Sequence, residues 1–193
     1  MSTIWGTACQ RCHAAASQCS LLSLYAEAWR QAFEESIQLW PPDGGIAPDA
    51  SPEKRLKGYI TSLLHRVTDP KSRDFDMVRR EIAAPTGLLA EVMQRSVGPL
   101  HEYLTTIVRE MMGLGASDEQ VQFCTISIRA QCILPMHHRR LPGNQDAQAC
   151  RLEVAPSRIG ALAEHIYSFS LAGIRAIRNG AAEESDSATR NMQ

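Results

Sequence analysis

Ser51-Pro52-Glu53-Lys54-Arg55-Leu56-Lys57-Gly58-Tyr59-Ile60-Thr61-Ser62-Leu63-Leu64-His65-Arg66-Val67-Thr68-Asp69-Pro70 is the stretch that decides the fold class. Leu56, Tyr59, Ile60, Leu63, Leu64 and Val67 recur at steps of three and four, which places one apolar stripe along a helix. Ser51 supplies an N-cap oxygen and Pro52 suits the first turn, where its missing N–H costs nothing. Asp69-Pro70 ends the helix.

Working upstream, Leu21, Leu24, Tyr25, Ala28, Ala32 and Ser36 keep the same spacing up to Pro41-Pro42-Asp43-Gly44-Gly45, so residues 41–51 are read as a loop. Downstream, a short helix is predicted from about Asp74 to Ala83. Leu88 to Met112 reads as one long helix, straight or kinked, with Gly98-Pro99 as the place for a bend and Gly113-Leu114-Gly115 as its close. Ser117 with Gln120 forms a capping-box start. It leads into a helix with Val121, Cys124, Ile128 and Cys132 on one face and Phe123, Ile126, Ala130 and Ile133 on another. The last helix, about Ser157 to Arg178, has one stripe of Ile159, Leu162, Ile166, Phe169 and Gly173 and a second of Tyr167, Leu171 and Ile174. Helices apolar on two sides can pack inward on their own bundle and outward on a second copy, which predicts a homodimer. Asn179 to Gln193 is polar and aperiodic and is expected to be a disordered tail. No strand alternation and no internal repeat interrupts this pattern, so the fold class is all-α, a bundle of about six helices.

The chain has 193 residues, 44% of them apolar and 21% charged, with a formal net charge of -1. That is enough chain for one self-sufficient core, and it gives no overall basic field for nucleic acid or an anionic membrane. Met1-Ser2-Thr3-Ile4-Trp5-Gly6 lacks the features of a signal peptide, and no apolar run reaches the roughly 20 residues of a membrane span. The expectation is therefore a cytoplasmic protein without a membrane partner. Its six cysteines, Cys9, Cys12, Cys19, Cys124, Cys132 and Cys150, would be mostly reduced, with Cys124 and Cys132 acting as core residues.

Several strings resemble the C-terminal domain of TetR-family transcriptional regulators of a CerR-like type. They are Tyr25-Ala26-Glu27-Ala28-Trp29-Arg30, Trp40-Pro41-Pro42-Asp43-Gly44-Gly45, Pro52-Glu53-Lys54-Arg55-Leu56 with Tyr59-Ile60, and Arg80-Glu81-Ile82-Ala83-Ala84-Pro85-Thr86. Later come Ser127-Ile128-Arg129-Ala130-Gln131-Cys132 and His165-Ile166 with Phe169-Ser170-Leu171-Ala172-Gly173-Ile174. The resemblance covers about residues 25–178 and implies a helical domain that holds a small-molecule effector and dimerises through its last two helices. It also implies a preceding helix-turn-helix. The 24 residues before Tyr25 carry one basic side chain, Arg11, and no recognition-helix pattern. The expected organisation is an irregular leader over 1–20, an effector-binding and dimerisation domain over 21–178 and a tail over 179–193. DNA would be a partner only through a helix-turn-helix supplied upstream. A stand-alone ligand-binding dimer, or a dominant-negative partner of full-length regulators, is the alternative. Ala130, where the family usually has Gly, and Pro135, expected to kink or end its helix and open a loop over 135–151, depart from the pattern.

The effector pocket is expected to draw on Trp29, Phe33, Met77, Arg80, Glu81, Met93 and Gln131. Arg80 suits an anionic effector or an ordinary ion pair, and Gln131 suits a ligand hydrogen bond or a polar contact across a dimer. Trp29, Phe33 and the methionines suit an apolar cavity or plain core. The dimer face is expected at Phe123, Ile126, Ala130, Ile133, Tyr167, Leu171 and Ile174. Cys9-Gln10-Arg11-Cys12-His13 has the form of a c-type haem attachment site, or with Cys19 of a metal site, against which stands the missing export signal. His65, His101 and His165 fall in separate segments without a ligand pairing, and His137-His138-Arg139-Arg140 reads as a solvated basic loop. No nucleophile elbow, phosphate loop or Cys/His pairing argues for catalysis. The chain is read as a non-enzyme without metal or cofactor.

Overall fold

A computed structural model describes residues 23–87, 89–137 and 155–190, with side chains described through residue 135 and over 155–180 in the last two segments. Helix α1 covers residues 23–39, followed by α2 (Pro52–Thr68), α3 (Arg73–Ala83), α4 (Ala90–Met112), α5 (Asp118–His137) and α6 (Ile159–Arg190). A single 3-10 turn, Pro156–Arg158, leads into α6. The described residues contain no strand, and the fold is all-α.

The ends of these helices follow from local chemistry. Ser51 Oγ accepts from the Lys54 amide at 3.4 Å and so opens α2. At the start of α5 the Gln120 amide donates to Ser117 Oγ at 3.1 Å while the Ser117 amide donates to Gln120 Oε1 at 2.9 Å, a reciprocal capping box. Gly113, with φ of 77°, turns the chain out of α4 as its amide donates to the Arg109 carbonyl at 3.0 Å.

Helix α2 is the centre of the bundle and packs against α4, α5 and α6. Its stripe of Leu56, Ile60, Leu64 and Val67 is fully buried and meets Leu104, Ile107, Val108 and Met112 of α4 and Val121, Ile128 and Cys132 of α5. Burial of this apolar surface is the main source of stability. The exposed Lys57–Glu164 pair at 2.6 Å, which links α2 to α6, adds little. Helix α1 joins the bundle through polar anchors: Arg66 Nε donates to Ser36 Oγ at 3.1 Å, and Trp40 Nε1 donates to Asp69 Oδ2 at 3.0 Å while its ring stacks on His65. Among the described residues no helix is long and apolar enough to cross a membrane.

Three details differ from the sequence expectation. Helix α5 runs through Pro135 to His137, so its end lies beyond the proline. Residues 138–154 lie outside the described residues, as do Cys9, Cys12, His13, Cys19 and the leader over 1–20. Helix α6 continues past Arg178 to Arg190, where a disordered tail was expected from Asn179. After Gly180 the sequence offers Ala181, Ala182, Glu183 and Glu184 with no further glycine or proline before Arg190, and extending a helix already formed needs no new nucleus.

The third difference is the orientation of α6. Its buried line runs through Ile159, Ala163, Ile166, Ser170 and Ile174, between the two stripes expected from hydrophobicity. Ile174 is 2% exposed, and Tyr167 and Leu171 pack half-buried against the same core. What α6 turns outward is Phe169, 64% exposed, flanked by Ala172 and Gly173.

Burial sets an alkaline limit on this core. It pushes the Tyr59 hydroxyl and the Cys132 thiol each up to about 12. A thiol whose folded pKa exceeds its unfolded value of about 8.5 contributes stability that is fully present below the unfolded value and is lost as pH rises toward the folded one. Cys132 alone should therefore cost about 1.4 kcal/mol for each pH unit above roughly 8.5, and Tyr59 should add to this above about 10. Urea unfolding at pH 8 and pH 10 should show the wild type losing more stability than Cys132→Ala over that interval. Equal losses would mean that the Cys132 thiol ionises within the folded protein.

Candidate functional site

Five helices converge on a cavity of about 250 Å³. Helix α1 supplies Trp29 and Phe33, and α2 supplies Tyr59, Leu63 and Arg66 at positions i, i+4 and i+7 of one stripe. Helix α3 contributes Asp74, Phe75, Val78 and Ile82, and α4 contributes Met93, Val97, Leu100 and His101. Arg129 and Ile133, one turn apart on α5, complete the wall. The lining is mostly apolar and aromatic with a few polar groups placed among it, the usual make-up of a small-molecule site.

The polar groups fall into two sets with different electrostatics. Arg66 Nη2 lies 3.0 Å from Asp74 Oδ2, with both side chains under 5% exposed. The guanidinium also sits 5.1 Å from the Phe33 ring centre and 5.3 Å from that of Phe75, in cation–π contact with both. Burial pushes Asp74 above the ordinary carboxylate value and Arg66 below its own, while the ion pair between them opposes both shifts. This pair is neutral overall and ties α1, α2 and α3 together beside the cavity.

The second set is Arg129 and His101. Arg129 Nη1 lies 3.2 Å from His101 Nδ1. A guanidinium has no acceptor, so His101 Nδ1 accepts and the imidazole proton sits on Nε2. Among the described residues no carboxylate lies within ion-pair distance of Arg129. Trp29, 1% exposed and stacked on Phe33 at 5.0 Å between ring centres, has an indole N–H with no acceptor among the described residues.

Of the pocket residues expected from sequence, the structure brings Trp29, Phe33 and Met93 to the cavity. Met77 and Arg80 lie on α3 outside the lining, because that helix turns Asp74, Phe75, Val78 and Ile82 toward it. Glu81 closes the α3–α4 turn, accepting from the amides of Thr86 at 2.9 Å and Gly87 at 2.7 Å. Gln131 donates to the Ser127 carbonyl at 3.2 Å and lines a separate groove between α5 and α6. Sequence reasoning missed Arg66, Asp74 and Arg129. The available signal was a charged residue continuing an apolar stripe: Tyr59, Leu63, Arg66 on α2 and Arg129, Ile133 on α5.

The groove between α5 and α6 has a volume of about 230 Å³ and is lined by Phe123, Gln131, Phe169, Ser170 and Ile177 among others. Phe123 and Ile126 are 57% and 51% exposed, Ala130 is exposed beside them, and Phe169 stands across from Phe123 on α6. Of the dimer residues expected from sequence, Phe123, Ile126 and Ala130 thus face outward. Ile133 lines the cavity, Ile174 is buried at the floor of the α5–α6 groove, and Tyr167 and Leu171 are half-buried against the core.

Residues 52–174 match the family described as the C-terminal domain of the HTH-type transcriptional dual regulator CecR. No curated protein matches the chain.

Proposed function

The chain belongs to the family of the CecR C-terminal domain, and from that premise we propose that it senses an effector in the five-helix cavity and dimerises through the outer face of α5 and α6, as part of a TetR-type transcriptional regulator. The observation that carries the effector half is the convergence of α1 to α5 on one apolar cavity. A ligand there touches α1, α2 and α3, which the Arg66–Asp74 pair and the Arg66–Ser36 bond also link, so it favours whichever arrangement of α1 against α2 and α3 closes on it. Reading DNA belongs to a helix-turn-helix outside this domain.

For the dimer half, the supporting feature is a contiguous outward patch of Phe123, Ile126, Ala130 and Phe169 around the α5–α6 groove. A two-fold axis would lay that patch on its own copy, which makes a second copy of the chain the fitting occupant. Light scattering after size exclusion should give a dimer for the full chain and, for Phe123→Glu combined with Phe169→Glu, a folded monomer that still unfolds cooperatively but at a lower temperature, since the stabilisation from association is lost. Leu171→Glu or Ile174→Glu should instead unfold the monomer itself, since both residues pack on its core. A wild-type monomer at micromolar concentration would remove the dimer half of the proposal. The effector half is checked by calorimetric titration with 1-naphthol, a neutral two-ring aromatic. Saturable binding lost in Leu100→Trp, which fills the cavity, is expected, and a wild type that takes up none would count against an effector site there.

A further inference from the structure

Resting on that effector-site reading, we infer that the ligand class is a small aromatic acid, its anionic group held by Arg129 and its ring lying among the aromatic side chains of α1 to α3. The charges around the cavity give the first reason. Arg66 is neutralised by Asp74, whereas Arg129 reaches the same cavity beside His101 with no carboxylate in ion-pair distance among the described residues. Arg129 is half-buried, and a ligand that fills the cavity takes more of its guanidinium out of water, which is costly unless the ligand supplies an anion or several acceptors in place of the lost hydration. Because His101 Nδ1 accepts from Arg129, Arg129 also orders the ring and leaves the Nε2 proton as a further donor for an acidic ligand.

Size and wall chemistry fix the rest of the ligand. The cavity of about 250 Å³ exceeds the roughly 150 Å³ that accommodates a benzene and falls short of the roughly 300 Å³ at which drug-sized pockets begin. One or two fused rings with an acidic substituent fill such a space. Phe33, Phe75 and Tyr59 offer ring faces and edges. A carboxylate is preferred over a sulfate or phosphate ester, because a single guanidinium with one imidazole matches one planar two-oxygen group.

Calorimetric titration of the full chain with naphthalene-2-carboxylate and with naphthalene-2-carboxamide, which share a shape and differ in charge, tests the inference. The acid should bind at least tenfold more tightly than the amide. Arg129→Gln should remove that preference by lowering the acid's affinity to that of the amide, with the melting temperature unchanged, and Arg129→Lys should restore part of it. An amide that binds as tightly as the acid, or an acid preference that survives Arg129→Gln, would overturn the inference and leave the effector cavity standing. Failure of both probes to bind while 1-naphthol binds would overturn the inference alone, and failure of all three would overturn the effector reading on which it rests as well.

Discussion

Arg66→Met is expected to destabilise the protein by about 3–5 kcal/mol, the usual cost of removing one partner from a buried ion pair and leaving the other charge uncompensated. The environment explains why the cost falls at this position. Arg66 and Asp74 are 3% and 2% exposed, the Arg66 guanidinium is in contact with the rings of Phe33 and Phe75, and its Nε donates to Ser36 at 3.1 Å, so the substitution breaks links to α1 and α3 together. A second substitution, Asp74→Leu, should recover most of the loss, since two apolar side chains of similar volume carry no desolvation cost. The single variant should also acquire a pH dependence. Without its cation, the buried Asp74 carboxyl has a folded pKa well above the unfolded value of about 3.9. The stability it retains is present below that value and lost as pH rises through the folded pKa, so Arg66→Met should be less impaired at pH 4 than at pH 7. Urea unfolding of the wild type, the two single variants and the double variant at both pH values measures all of this. A loss below about 1 kcal/mol at pH 7 would show that water reaches the pair and that the cavity is open to solvent there.

How much of this was legible in the sequence depended on whether the signal was apolar. The stripe of Leu56, Ile60, Leu64 and Val67 announced α2 and its burial, and Ser51, Gly113 and the Ser117–Gln120 box placed helix ends that the hydrogen bonds reproduce. The face of α6 was misread because its buried line passes through Ala163 and Ser170. Small residues at that line let the helix lie close against α2 and α5, but they carry little weight in a hydrophobicity reading, which sees only the flanking stripes. On α5 the same periodicity put Ile133 with Phe123 and Ile126, although the helix turns it onto the flank that Arg129 occupies, facing the cavity. The site itself was half legible. Aromatic Trp29 and Phe33 could be suspected, whereas the pairing of Arg66 with Asp74 and of Arg129 with His101 depends on how the helices cross, which local spacing does not encode.

The Trp40-Pro41-Pro42-Asp43-Gly44-Gly45 string shows the opposite case, a sequence feature whose physical reason is visible only in three dimensions. The turn is drawn onto the middle of α2: Ser62 Oγ donates to the Pro41 carbonyl at 2.5 Å, and one turn earlier Gly58 lies directly beneath Asp43. A Cβ at Gly58 would stand 2.5 Å from the Asp43 carbonyl oxygen and 2.7 Å from Ile46 Cγ1. A Cβ at Gly44 would stand 2.5 Å from the Gly58 carbonyl oxygen, at a φ of +62° that also disfavours a side chain. Gly45, at φ +73°, has nothing within 4 Å of its Cβ position. These three glycines therefore separate backbone strain from close approach. Gly45→Ala should cost about 1 kcal/mol from strain alone. Gly58→Ala should cost about 3 kcal/mol, the upper part of the usual overpacking range, because the atoms in its way are mainly backbone. Gly44→Ala should cost the most, since it meets both penalties. In Gly58→Ala the turn must lift from α2, and with it Trp40 and the end of α1, so Trp29 and Phe33 should shift at the cavity wall and binding of naphthalene-2-carboxylate should weaken. If Gly58→Ala proves no more costly than Gly45→Ala, the contact between turn and helix is looser than 2.5 Å implies, and α1 is held to the bundle by the Arg66–Ser36 and Trp40–Asp69 bonds instead.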